Sequence, residues 1–179
     1  VPSRGLGDVY KRQGRSLSAL LTERPPLRDR ISLLARICQP LAYAHSQGVI
    51  HRDIKPANVM IGAFGEVMVM DWGLGRAVDD LVDAQTAEVL GDHEQRLGEH
   101  QTRFGQVMGT PAYMSPEQAA GNHTQLTART DVYALGAILY QMLSDRRPYG
   151  GDGPTALARL LSGPPAPLSG AAMPPELVA

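Results

Sequence analysis

Between Ile50 and Gly73 the chain reads IHRDIKPANVMIGAFGEVMVMDWG. Asp53, Lys55 and Asn58 lie close together at one end, and Asp71 stands at the other. Two short apolar runs, Val59–Ile61 and Glu66–Met70, separate them, joined through Gly62-Ala63-Phe64-Gly65. Short β-prone runs about a glycine-bearing turn predict a hairpin, so both groups of polar residues return to the same open end. The chemistry such a set could do is specific. Asp71 and Asn58 offer the hard oxygens that suit Mg²⁺. Lys55 is a mobile point charge able to follow a phosphate. Asp53 is placed to orient a hydroxyl and take its proton. Two loops delivering carboxylates side by side are costly without a cation between them, which itself points to a cation site. Together the residues suit transfer of a metal-bound phosphoryl group.

The flanking segments must hold these loops. Ser16–Glu23 has a serine N-cap followed by Leu17, Leu20 and Leu21 at helical spacing, and Pro25-Pro26 end it. Leu27–Gln47 is predicted to form a long helix with Ile31, Leu34, Ala35, Cys38, Leu41, Ala42 and His45 on its buried stripe. Pro40 should bend it and Gly48 should stop it. His45 is expected to pack or cap, because no second metal ligand has suitable spacing. Downstream, 77–106 is polar and acid-rich with little periodicity, with a short helix conceivable over Leu81–Leu97. Ser115-Pro116-Glu117 has the order of a helix opening: cap, proline at the first position, acid in the first turn. Arg129–Ser144 is hydrophobic through Val132, Leu135, Gly136, Ile138, Leu139, Met142 and Leu143, and is predicted to be buried nearly all round. Asp131 in its first turn then needs donors. Thr155–Leu161 predicts a last short helix.

The 179 residues carry a formal net charge of -1 and are 43% hydrophobic, enough for one domain, with nothing that favours nucleic acid as a bulk partner. Cys38 is the single cysteine, so an intrachain disulfide framework is excluded; it is expected in the core. No apolar run is long enough for a membrane segment within this chain, and a cytoplasmic location is expected. Residues 1–13 resemble the in-frame translation of a sequencing-library adapter, so the expected organisation is 1–13 artefact, 14–163 a domain, and 164–179 a proline-rich continuation.

HRDIKPAN followed by DWG resembles the catalytic loop and metal-binding motif of eukaryotic-type protein kinases, here of bacterial appearance. GTPAYMSPE resembles their substrate-binding loop and Ala-Pro-Glu motif, and DVYALGAILYQML their central buried helix. The resemblance implies a mainly α fold with a short β-hairpin, truncated to the large helical lobe. It implies a serine/threonine protein kinase that uses ATP and Mg²⁺ and acts on a protein hydroxyl. Carried over by position, it makes Asp53 the catalytic base and Lys55 the group that neutralises the transferred phosphate. Asn58 and Asp71 would hold Mg²⁺, and Met60 would lie under the adenine. Thr110 would bond across to Asp53 and Lys55 and form the substrate platform. His51 and Trp72 would stack in an internal hydrophobic column, and Asp131 would accept backbone N–H groups of the catalytic loop. Arg52 would pair with a phosphorylated activation-loop residue, Thr102 foremost and Thr86 second.

The sequence also departs from the family pattern. Trp72 stands where a phenylalanine is usual. Glu117 would pair with an arginine in a later helix that these residues do not include. The long interval from Asp71 to Glu117 reads as an insertion near Val78–Gly98. A glycine-rich loop, a strand lysine with its helix glutamate and a complete hinge would precede Gly14, so the fragment alone is expected to be inactive. The alternatives are a pseudokinase or docking module, against which the intact Asp53, Lys55, Asn58 and Asp71 argue, and a small-molecule kinase, against which GTPAYMSPE argues.

Overall fold

A computed structural model of the chain describes residues 14–72, 76–77 and 111–168. In order they form β1 (Arg15–Ser16), α1 (Leu17–Thr22), α2 (Leu27–Ser46), β2 (Val49–Ile50), a 3-10 turn (Pro56–Asn58), β3 (Val59–Ile61), β4 (Val67–Val69) and β5 (Arg76–Ala77). A second 3-10 turn (Pro111–Tyr113), α3 (Pro116–Ala119), a third turn (His123–Gln125), α4 (Ala128–Ser144) and α5 (Gly153–Ser162) follow. The described part is thus mainly helical with small antiparallel sheets, as the sequence suggested.

The local causes are those the residue types supply. The Ser16 hydroxyl accepts the N–H of Ala19 at 3.2 Å and opens α1. Gly48, at φ 71°, takes the left-handed position past the end of α2 and donates its N–H to the His45 carbonyl at 3.0 Å. Pro40 lies inside α2, which continues past it to Ser46. Ser115 and Gln118 form a capping box on α3. Asp152 caps α5 by accepting from the Thr155 N–H at 3.0 Å.

β3 and β4 pair antiparallel, Val59 with Val69, Met60 with Met68 and Ile61 with Val67. This hairpin agrees with the expectation: the first strand has the expected bounds and the second is one residue shorter at each end. Two further ladders were not foreseen. β1 pairs with β3, Arg15 with Ile61 and Ser16 with Met60. A Cβ on Gly14 would fall 2.3 Å from the Ile61 carbonyl oxygen, so the approach of this edge needs glycine there. β2 pairs with β5, joining Val49-Ile50 to Arg76-Ala77, so the chain entering the HRD stretch is tied to the chain leaving the DWG motif.

The main core gathers Leu17, Ile37, Leu41, Ile54, Val59, Ile138 and Met142, each almost wholly buried. Each such side chain contributes about 1.5–3 kcal/mol by leaving water. Tyr149, Ala156 and Leu160 make a smaller cluster under α5.

Both long helices depart from their expected burial, α2 by rotation and α4 by leaving one side in solvent. On α2 the buried residues are Arg30, Ile37 and Leu41, whereas Ile31 is 40% exposed and Ala35 and Ala42 face outward. Cys38 is only half-buried, flanking this stripe. The reason is Arg30. It is 8% exposed and donates to the Pro25 carbonyl at 2.5 Å and to the Met142 carbonyl and Asp145 Oδ1 at 2.6 Å each. It thereby closes the C-terminal end of α4, whose cap Asp145 has φ 55°. An arginine that satisfies helix carbonyls can occupy a core stripe that a hydrophobicity pattern assigns to its neighbour. On α4, Val132 is 57% exposed and Gly136 also faces outward, so this helix is buried on one broad face and not all round.

Candidate active site

The HRD stretch is held from three sides. His51 is fully buried. Its Nδ1 accepts the Asp53 N–H at 3.2 Å, so Nε2 carries the hydrogen and donates to the Met70 carbonyl at 2.9 Å. One ring thus links the loop bearing Asp53 to the loop bearing Asp71. Trp72 meets the same ring edge-on, with centroids 4.6 Å apart and planes at 60°, and donates from Nε1 to the Val69 carbonyl at 2.9 Å. The two rings touch, but edge to face and not stacked, because the indole is anchored to the strand end.

Asp131 enters from the first turn of α4 with no exposure. Its Oδ2 accepts the His51 N–H at 2.8 Å and His45 Nε2 at 2.7 Å, and its Oδ1 accepts the Arg52 N–H at 2.8 Å. Three donors and the N-terminal end of a helix make a buried carboxylate tolerable. Arg52 has φ 71°, a left-handed conformation that costs a residue with a side chain roughly 1–2 kcal/mol. Asp71 has φ 66°, so both loops carry a strained residue at the point where they present polar groups.

Lys55 Nζ donates to Asp53 Oδ2 at 2.6 Å, both side chains being mostly buried. Asn58 Nδ2 donates to the Asp53 carbonyl at 2.8 Å and to Asp53 Oδ2 at 2.9 Å. With its amide nitrogen spent on Asp53, Asn58 keeps Oδ1 as the atom a cation would use. The Asn58 carbonyl accepts the Met70 N–H at 2.8 Å, and Asp71, the next residue, therefore emerges beside Asn58 at the open end of the hairpin, exposed to solvent. Among the described residues no cluster of three His, Cys, Asp or Glu is arranged to hold a metal. Asn58 and Asp71 offer two hard oxygens, a donor chemistry that suits Mg²⁺ shared with substrate phosphates. Met60 is half-buried, on the opposite face of β3 from the buried Val59 and Ile61, and pairs with the exposed Met68.

Glu117 Oε1 accepts the Thr130 hydroxyl at 2.9 Å, a contact within the described residues that the sequence did not suggest. Burial pushes the Glu117 carboxyl up, but its own backbone N–H, Ser115 and Thr130 outweigh this and hold it below the ordinary value. Gln118 reaches from α3 to the Arg52 carbonyl, with Nε2 at 2.6 Å. Thr110, Thr102, Thr86, Gly73 and the segments 78–98 and Leu81–Leu97 lie outside the described residues. The residues missed in the sequence are Arg30, Gln118 and the bond of His45 to Asp131. Only the last left a signal: His45 falls in the final turn of α2, one short link from the HRD stretch.

The sequence model of the protein kinase domain matches residues 11–161. The chain belongs to the protein kinase family. It is 46% identical over 115 residues to the serine/threonine-protein kinase PknD of Protochlamydia amoebophila, covering 63% of this chain and 11% of that protein. It is 39% identical over 140 residues to PknD of Chlamydia pneumoniae, covering 76% of this chain and 14% of that protein. To PknB of Mycobacterium tuberculosis (strain ATCC 25618 / H37Rv) it is 41% identical over 138 residues, 76% of this chain and 19% of that protein. This kinase chain therefore spans between 11% and 19% of the length of these curated relatives. No helix among its described residues is long and apolar enough to cross a membrane.

Proposed function

We propose that the protein containing this chain transfers the γ-phosphate of Mg-ATP to a serine or threonine hydroxyl of a protein. The observation that carries the reading is the convergence of Lys55 Nζ and Asn58 Nδ2 on Asp53 Oδ2, within a chain of the protein kinase family. Mg-ATP, when bound, supplies the phosphoryl group and neutralises the charge that develops on it. Asp53 would orient the acceptor hydroxyl and take its proton as the new P–O bond forms and the bond to the β,γ-bridging oxygen breaks, with ADP as the leaving group. Lys55, so close to Asp53, stabilises the phosphoryl oxygens from the same side. Asn58 Oδ1 and the Asp71 carboxylate hold the metal. Met60, on the outer face of the hairpin, contacts the base. Thr110 extends this set to the substrate, and it and Lys55 favour serine or threonine over tyrosine. Arg52 is the partner of a phosphate on Thr102.

Transfer of labelled phosphate by the full-length protein tests the reading. Asp53→Asn is expected to lower kcat by about 10²–10⁴-fold with the fold retained, the range of a lost general base. Asp71→Ala is expected to lower transfer strongly and to raise the Mg²⁺ concentration that the residual transfer requires. Wild-type rates in either variant refute the assigned roles.

A further inference from the structure

Gln118 has two ends with two different tasks. Its Oε1 accepts the Ser115 N–H at 3.1 Å and the Ser115 hydroxyl at 3.2 Å, which closes the capping box of α3. A glutamate at this position would cap equally well. What a glutamate could not do is what Nε2 does: donate to the Arg52 carbonyl at 2.6 Å. Capping therefore does not account for the amide. The bond falls on the strained residue of the catalytic loop, with φ 71°, whose N–H is already held by Asp131 Oδ1 at 2.8 Å. The two peptide planes that meet at Arg52 are thus fixed separately, the first by α4 and the second by α3. The second plane also contains the N–H of Asp53, which donates to His51 Nδ1 at 3.2 Å. Rotation of that plane would swing the Asp53 carboxylate.

We propose that Gln118 is a positioning residue, which sets the direction of Asp53 by holding the Arg52 carbonyl and ties the SPE segment to the catalytic loop through one amide. The inference rests on the kinase reading above for its effect on catalysis, but not for its effect on the loop.

Gln118→Glu in the full-length protein tests it, because the substitution keeps the shape and the cap and turns one donor into a charged acceptor facing a carbonyl. At pH 8 the expected result is a fall in kcat of about 10- to 100-fold, the cost of a small misplacement at the reacting centre, with KM for ATP within about twofold of wild type. A carboxylate pressed on a carbonyl oxygen titrates above the ordinary ~4.3, and the protonated acid regains a donor. Activity relative to wild type is therefore expected to recover as the pH falls toward about 5.5. The groups around this point are Glu117 on α3, Asp131 on α4, His45 on α2, and His51, Arg52, Asp53 and Lys55 of the loop. All are present in both proteins, so the wild-type profile removes their contribution. Gln118→Met is expected to lose kcat without recovery, and it keeps the test open should the glutamate variant not fold. Hydrogen exchange of the peptide over 50–58, without nucleotide, is expected to accelerate in both variants. Wild-type kcat in either variant at pH 8, or the same pH profile in both, overturns the proposal. If the wild-type protein transfers no phosphate, the kinase reading fails by itself, and unchanged exchange over 50–58 is then the result that overturns the role of Gln118.

Discussion

Asp131 shows how much one buried carboxylate organises. It has two oxygens and three donors, from His51, Arg52 and His45. An amide in its place offers one oxygen and points N–H groups at a donor. Asp131→Asn is expected to lower stability by about 2–4 kcal/mol in urea unfolding, since each buried donor left unpaired costs roughly 1–3 kcal/mol. A midpoint unchanged from wild type would show that the loop finds other acceptors. The need of Asp131 for donors was legible from a charged residue opening a hydrophobic helix. The identity of Gln118 as a partner of the same loop was not. Nothing in a glutamine two residues after Pro116 announces a bond to a carbonyl far earlier in the chain.

At the scale of elements, α2 and α4 are locked by Arg30, which serves the Met142 carbonyl and Asp145 together. Arg30→Met is expected to cost about 2–4 kcal/mol, because hydrogen bonds to a charged group contribute roughly 1.5–3 kcal/mol each and Asp145 stays partly solvated. Arg30→Lys is expected to rescue little, since a single ammonium cannot reach Pro25, Met142 and Asp145 with the same fork. Thermal melts of both variants check this. The existence of both helices, the Gly48 stop of α2 and the hairpin followed from spacing and residue type. The rotation of α2 and the open side of α4 did not. Periodicity marks where apolar residues recur, but Arg30 displaced Ile31 from the interior, and Val132 stayed in solvent on α4. The two-residue strands β1, β2 and β5 are too short to show alternation at all.

For the molecule as a whole, stability should decline on both sides of neutral pH for identifiable reasons. Glu117 is held below its ordinary value, so its contribution is complete above about pH 4.5 and is lost as the pH falls through the folded value. Glu117→Gln should flatten the acid limb of a stability profile; an unaltered limb would assign that limb elsewhere. Tyr133 is displaced upward, first by burial and then by its bond to Tyr149, whose hydroxyl in turn donates to the Gly163 carbonyl at 3.1 Å. Its contribution is complete below about pH 10 and is lost as the pH rises toward the higher folded value. An alkaline phenolate titration of the six tyrosines should therefore lose one late step in Tyr133→Phe. The His51 ring, with one accepting and one donating nitrogen, has a consequence of a different kind. A single tautomer gives two well-separated imidazole ¹⁵N resonances, whereas a ring released to water averages them. His51 is thus a built-in spectroscopic gauge, readable without nucleotide or substrate, of whether the loops bearing Asp53 and Asp71 are still joined.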